Sequence, residues 1–172
     1  MKNVMENKYL VTFAGAVGSS KTPIAHYISW KCNLPILSND VMRTEVIEDV
    51  GFLDDAEYLR RRDDRLNQIA ESGGSFIYDA SVDREWSLLE SMVGKYDYQI
   101  FIISLDLSKD FLLSLYKSKE YDKALVHLDR YLSDHENFLN NHGDLVGINI
   151  TDGNFRDRLQ LCLTSVKEWL AL

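Results

Sequence analysis

The segment Gly15-Ala16-Val17-Gly18-Ser19-Ser20-Lys21-Thr22 carries the residue types and the spacing needed to hold a phosphate group. It fits the pattern G-x-x-x-x-G-K-[ST] at every position but Ser20, where glycine is expected. Glycines in such a loop let successive backbone N–H groups turn inward around phosphate oxygens. The start of a following helix adds its partial positive charge. Lys21 would reach the β- and γ-phosphates of a nucleotide, and the Thr22 hydroxyl would ligate Mg²⁺. All the residues of loop 15–22 are therefore candidate nucleotide contacts. Ser20 leaves two readings open: its side chain crowds the phosphates, or its hydroxyl donates to one.

Such a loop works only between a strand and a helix, and the flanking residues supply both. Residues 9–14, Tyr-Leu-Val-Thr-Phe-Ala, form a short apolar run that ends at Gly15. From Pro23 the pattern turns helical, with Ile24, Tyr27 and Ile28 on one face. Further strands are expected at 35–38, 75–79, 98–105 and 145–150. Helices are expected at about 40–48 and 54–71, from about Arg84 to Gly94, twice between 106 and 144, and through Phe155, Leu159, Val166 and Leu170 at the end. Strands that alternate with helices and are apolar almost throughout imply a parallel sheet covered on both faces. Ligands of such sheets lie beyond the carboxyl ends of the strands. The chemistry should then sit just after Ala14, Ser38, Asp79, Leu105 and Ile150.

Length and charge narrow the reading. At roughly 100–200 residues per domain, the chain of 172 residues is one domain. Its net charge of −8 argues against a protein that coats nucleic acid by bulk electrostatics. No apolar run is long enough to span a membrane. The polar start, from Met1 to Lys8, lacks the apolar stretch of a signal peptide. Cys32 and Cys162 form no metal or redox spacing, so a reduced, cytoplasmic setting fits best.

With this loop in place, the sequence resembles the P-loop kinase-like proteins of the polynucleotide kinase, gluconate kinase and zeta-toxin type, through the order of its strands and the position of its motifs along essentially the whole chain. The resemblance implies a three-layer α/β/α sandwich with a five-stranded parallel sheet. It also implies transfer of the γ-phosphate of ATP, with Mg²⁺, to a hydroxyl of a small molecule or a nucleic-acid end. The segment Ser38-Asn39-Asp40-Val41-Met42-Arg43 looks like the D-x-x-R element of such proteins. There the aspartate takes the proton of the accepting hydroxyl and the arginine holds an anionic substrate group, roles that suit a carboxylate and a guanidinium fork. The same residues also read as a helix start capped by Ser38, Asn39 or Asp40.

Asp79, at the end of the third strand, resembles the second Mg²⁺-associated acid of P-loop proteins, and it reads equally as a strand-ending turn residue. Arg84, after Asp83, is a second-tier candidate for substrate contact. Residues 106–144 correspond to the family's lid, whose arginines stabilise charge on the transferring phosphoryl group. This chain has a single arginine there, Arg130, with Lys117, Lys119 and Lys123 as the other basic candidates. Arg130 reads also as a surface ion-pair residue. The resemblance implies that the loop after the fifth strand, at 149–154, packs against adenine; Thr151 and Asp152 there are also expected to cap the last helix. Arg60, Arg61, Arg62 and Arg65 lie at helical spacing from acidic residues and read as a solvated, salt-bridged face. His135 reads as a packing or surface residue, and no Ser-His-Asp arrangement follows from spacing.

The leading expectation is an ATP- and Mg²⁺-dependent kinase with Lys21, Asp40 and Arg130 in the chemistry, Arg43 and Arg84 on the acceptor, and Thr22 and Asp79 on the metal. Two rivals are a nucleotide-binding module or slow NTPase without an acceptor, and a kinase of polynucleotide 5′ ends.

Overall fold

The computed structural model describes residues 7–171, with the side chains of Asp122 and Lys123 outside the description. The polar start at residues 1–6 and the candidate Lys123 side chain thus lie outside the described residues. Among the described residues there are five strands: β1 (Lys8–Ala14), β2 (Ile36–Ser38), β3 (Phe76–Ser81), β4 (Tyr98–Leu105) and β5 (Val146–Ile150). They form one parallel sheet in the order β2-β3-β1-β4-β5.

The inner strands β1, β3 and β4 are buried on both faces, which is why they read as near-continuous apolar runs. Side chains alternate across it. Val11, Phe13, Ile77, Phe101 and Ile103 enter one core with α1 (Lys21–Cys32) and α8 (Arg158–Leu170). Leu10, Phe76, Tyr78, Tyr98 and Ile102 enter the other with α2 (Asn39–Val50), α3 (Asp55–Ser72) and α4 (Trp86–Tyr96). The three layers expected from the sequence are these. Gly147 on β5 lets the edge of the sheet close: a methyl group there would come within 2.3 Å of the Phe101 ring.

Local signals set several helix ends. Asp54 caps α3, accepting from the N–H groups of Ala56 and Glu57 at 3.0 and 3.1 Å. Gly51 and Gly73 end α2 and α3 with φ of +88° and +73°. The hairpin of α2 and α3 is tied by Arg61 to Glu45 and Asp49, and by Arg65 to Glu45. Arg60 pairs with Glu57 and Asp64. The salt-bridged face is therefore present for three of its four arginines, while Arg62 turns inward and is buried.

Three boundaries differ from expectation. β3 continues to Ser81, and a 3₁₀ turn at Val82–Arg84 precedes α4, which starts at Trp86 rather than Arg84. The last helix starts at Arg158, after another 3₁₀ turn at Phe155–Asp157. Asp152 accordingly does not cap it. Its Oδ1 accepts from the N–H of Ser108 at 2.9 Å, joining the loop after β5 to the N-cap of α5 (Lys109–Ser118). Residues 106–144 fold as α5, α6 (Asp122–Leu125) and α7 (Leu128–His142). No helix among the described residues is long and apolar enough to cross a membrane.

Candidate functional site

The strand order brings the candidate residues together. β3 lies between β2 and β1, with Ser38 opposite Asp79 and Phe13 opposite Ser81. The loops after these three strands therefore open onto one cleft of about 290 Å³ at the carboxyl edge of the sheet.

On one side is loop 15–22, between β1 and α1 as the sequence requires. The Lys21 ammonium folds back along it and donates to Gly15 O at 2.9 Å, Ala16 O at 2.6 Å and Ser19 Oγ at 3.3 Å. Burial pushes the Lys21 pKa down to about 8, although the charges of Asp83, Asp79 and Asp40 hold it up. Asp79 is buried, and burial raises its pKa; the nearby Thr22 hydroxyl and the Lys21 charge pull the other way. A buried carboxylate beside a hydroxyl offers oxygen donors to a hard divalent cation, and the neighbouring lysine ammonium suits phosphate oxygens.

On the other side, Asp40 and Arg43 form an ion pair at 3.0 Å at the start of α2. Ser38 holds the N-cap position without a side-chain bond, and Asn39 Oδ1 instead accepts from the buried Tyr78 hydroxyl at 2.9 Å. The Asp40 carboxylate is 84% exposed and bonds only Arg43, so capping does not occupy it. The Arg43 guanidinium lies 4.6 Å over the Tyr58 ring, which fixes its direction. Behind the cleft, Arg62 donates to Glu85 Oε1 at 2.9 Å, and Glu85 Oε2 lies 3.0 Å from the Tyr78 hydroxyl. Arg84 lines the cleft, half exposed, with Asp134 at 3.4 Å.

Residues of the 106–144 segment line the third side, and the cation among them is Lys119. Arg130 is 66% exposed, 3.8 Å from Asp134, and does not line the cleft. Lys119 does, and its Nζ donates to Gly18 O at 2.7 Å. Tyr116, on α5, donates to Val17 O. Gly18 has φ +76°, and a methyl group there would come within 2.8 Å of the Tyr116 ring. Glycine at this position thus serves both the turn and the close approach of α5.

Three further features carry little local signal. Asp83, in the 3₁₀ turn, accepts from the N–H of Gly15 at 3.0 Å and meets His135 Nδ1 at 3.2 Å. His135 Nε2 lies 3.4 Å from Ser104 Oγ. The chain brings together a Ser-His-Asp set that spacing did not suggest. Ser104 is wholly buried, so the set braces loop 15–22 against α7 and β4 rather than attacking a substrate. Arg158, from α8, donates to Ser20 Oγ at 3.2 Å. Asp83 was the nearest to legible, being four residues after Asp79; nothing local marks His135 or Arg158.

In sequence, the chain matches no protein-family model and no curated protein. In structure it is similar to several solved proteins. A proposed kinase from Chloroflexus aurantiacus J-10-fl is 21% identical, with 97% of this chain and 98% of that one covered and a TM-score of 0.67. A gluconokinase from Sinorhizobium meliloti 1021 is 14% identical, over 94% and 93% of the two chains, with a TM-score of 0.62. The APS kinase of Mycobacterium tuberculosis, in complex with AMPPNP and APS, is 17% identical, over 94% and 98%, with a TM-score of 0.59.

Proposed function

We propose that this chain, which has the fold of the P-loop kinases, is an ATP- and Mg²⁺-dependent phosphotransferase acting on a hydroxyl of a small anionic molecule. The observation that carries this is one shared cleft, with Lys21, Thr22 and Asp79 on one side and Asp40, Arg43 and Arg84 on the other. Similarity of fold to a gluconokinase and to an APS kinase supports the reading. Both cysteines are free thiols, in keeping with a cytoplasmic setting.

The backbone N–H groups of loop 15–22 would bind the phosphates, and Lys21 would exchange its carbonyl partners for charged phosphate oxygens, which are stronger acceptors. Thr22 and Asp79 would hold Mg²⁺, whose charge neutralises β- and γ-phosphate oxygens when bound. Asp40 takes the proton of the acceptor hydroxyl. Arg43 orients Asp40 and grips an anionic group of the acceptor through its fork. Lys119 supplies the lid cation near the phosphates, in place of Arg130.

The test is a screen of sugar acids, phosphorylated sugars, nucleosides and 5′-hydroxyl oligonucleotides with ATP labelled at the γ-phosphate. A small anionic acceptor should take the label. Asp40→Asn should then leave ATP affinity nearly intact and lower transfer by roughly 10²–10⁴-fold. Arg43→Lys should raise the acceptor KM with ATP binding unchanged. Label on oligonucleotides alone would make the protein an end kinase. ATP hydrolysis without an acceptor, at a rate indifferent to Asp40→Asn, would make it a nucleotide-binding module.

A further inference from the structure

Ser20 adopts φ +84° and ψ 31°, a left-handed conformation that side chains other than glycine avoid. It is also the one residue of the loop that departs from the phosphate-binding pattern, which has glycine there. A specific contact accompanies this strain. The Ser20 hydroxyl accepts a hydrogen bond from Arg158 Nε at 3.2 Å, across 138 positions of sequence. The guanidinium is itself held. Its NH1 donates to Phe155 O at 3.1 Å, and its plane lies 4.2 Å over the Phe155 ring. Phe155 in turn packs edge-on against Phe111 of α5, at 4.9 Å. Having accepted from Arg158, the Ser20 hydroxyl keeps its own proton to donate, and Ser20 lines the cleft.

We propose that Arg158 is a positioning residue of the phosphate site: through the Ser20 hydroxyl it holds the loop in its left-handed turn and directs that hydroxyl's proton toward a bound phosphate oxygen. A serine–arginine pair then does in this chain what glycine alone does in the loop pattern. Nucleotide affinity comes to depend on the last helix, which touches the loop from outside it. The inference rests on the reading of loop 15–22 as a nucleotide site.

The test is a double-mutant cycle, with the dissociation constants of Mg·ATP and Mg·ADP measured by calorimetry for the unaltered protein, Arg158→Ala, Ser20→Gly and the double variant. Arg158→Ala should weaken both nucleotides by roughly tenfold, the worth of one charge-assisted hydrogen bond. In the Ser20→Gly background the same change should cost less than about twofold, because glycine takes the conformation unaided. Equal costs in the two backgrounds, or no cost in the first, would overturn the proposal. Failure of the unaltered protein to bind ATP is a different result, seen in the first titration, and it would sink the nucleotide reading. The melting temperatures of the four proteins without nucleotide then still decide the pair: non-additive shifts uphold the coupling and additive ones refute it. Should Arg158→Ala fail to fold, Arg158→Met keeps an apolar stem over Phe155, lacks the donor, and completes the same cycle.

Discussion

Lys21 must be an ammonium to hold phosphate, yet burial brings its pKa down to about 8. Bound phosphate oxygens would raise it again. The sign follows from linkage: below about 8 the lysine is charged before and after binding, and affinity does not change with pH on its account. Above about 8 the free protein has lost that proton, so binding must take one up and affinity falls as pH rises. Calorimetry of Mg·ATP binding in two buffers of different protonation enthalpy measures the uptake directly. An affinity unchanged on crossing pH 8 would count against it. Lys21→Ala should abolish most of the rise in melting temperature that Mg·ATP confers on the unaltered protein, without unfolding it, since a ligand of the folded state stabilises by mass action.

At the scale of elements, α5 packs directly on loop 15–22. Its Tyr116 ring occupies the space that Gly18 leaves, and its hydroxyl holds Val17 O. Gly18→Ala would place a methyl group 2.8 Å from that ring, at a backbone conformation that alanine disfavours. Overpacking of this kind costs about 1–3 kcal/mol. The expected outcome is a lower midpoint in chemical denaturation together with weakened Mg·ATP binding. Tyr116→Phe keeps the ring and removes one hydrogen bond, so it should cost only about 1 kcal/mol. Equal effects of the two changes would show that the ring contact matters less than the hydroxyl.

For the whole molecule, net charge and local charge have opposite signs. The chain carries −8 overall, while Lys21, Arg43, Arg84 and Lys119 all line the cleft. A small anion entering the cleft meets the local cations. A long polyanion must also lie along the acidic exterior, where Asp49, Asp64 and Asp129 are more than half exposed. Fluorescently labelled single-stranded oligonucleotides should therefore show no binding at low ionic strength, where nucleic-acid contacts are strongest. Tight binding that weakens steeply with added salt would reverse this and favour a polynucleotide acceptor.

The amino-acid sequence by itself determined the layers and the place of loop 15–22 between a strand and a helix. Strand and helix periods are set within a few neighbouring residues, and a strand buried on both faces must be apolar throughout. The order Gly15, Gly18, Lys21, Thr22 needs only the strand before it and the helix after it. The Asp40–Arg43 pair was legible for the same reason, being one helical turn apart. Only the tertiary structure decided which cations face the cleft. Lys119 reaches it and Arg130 does not, because the direction of α5 and α7 over the sheet is fixed by packing rather than by local pattern. The joining of Asp83 to His135 and Ser104, of Asp152 to Ser108, and of Arg158 to Ser20 depends likewise on segments far apart in sequence. Each of these bonds forms only after the crossovers have brought its partners to the same edge of the sheet.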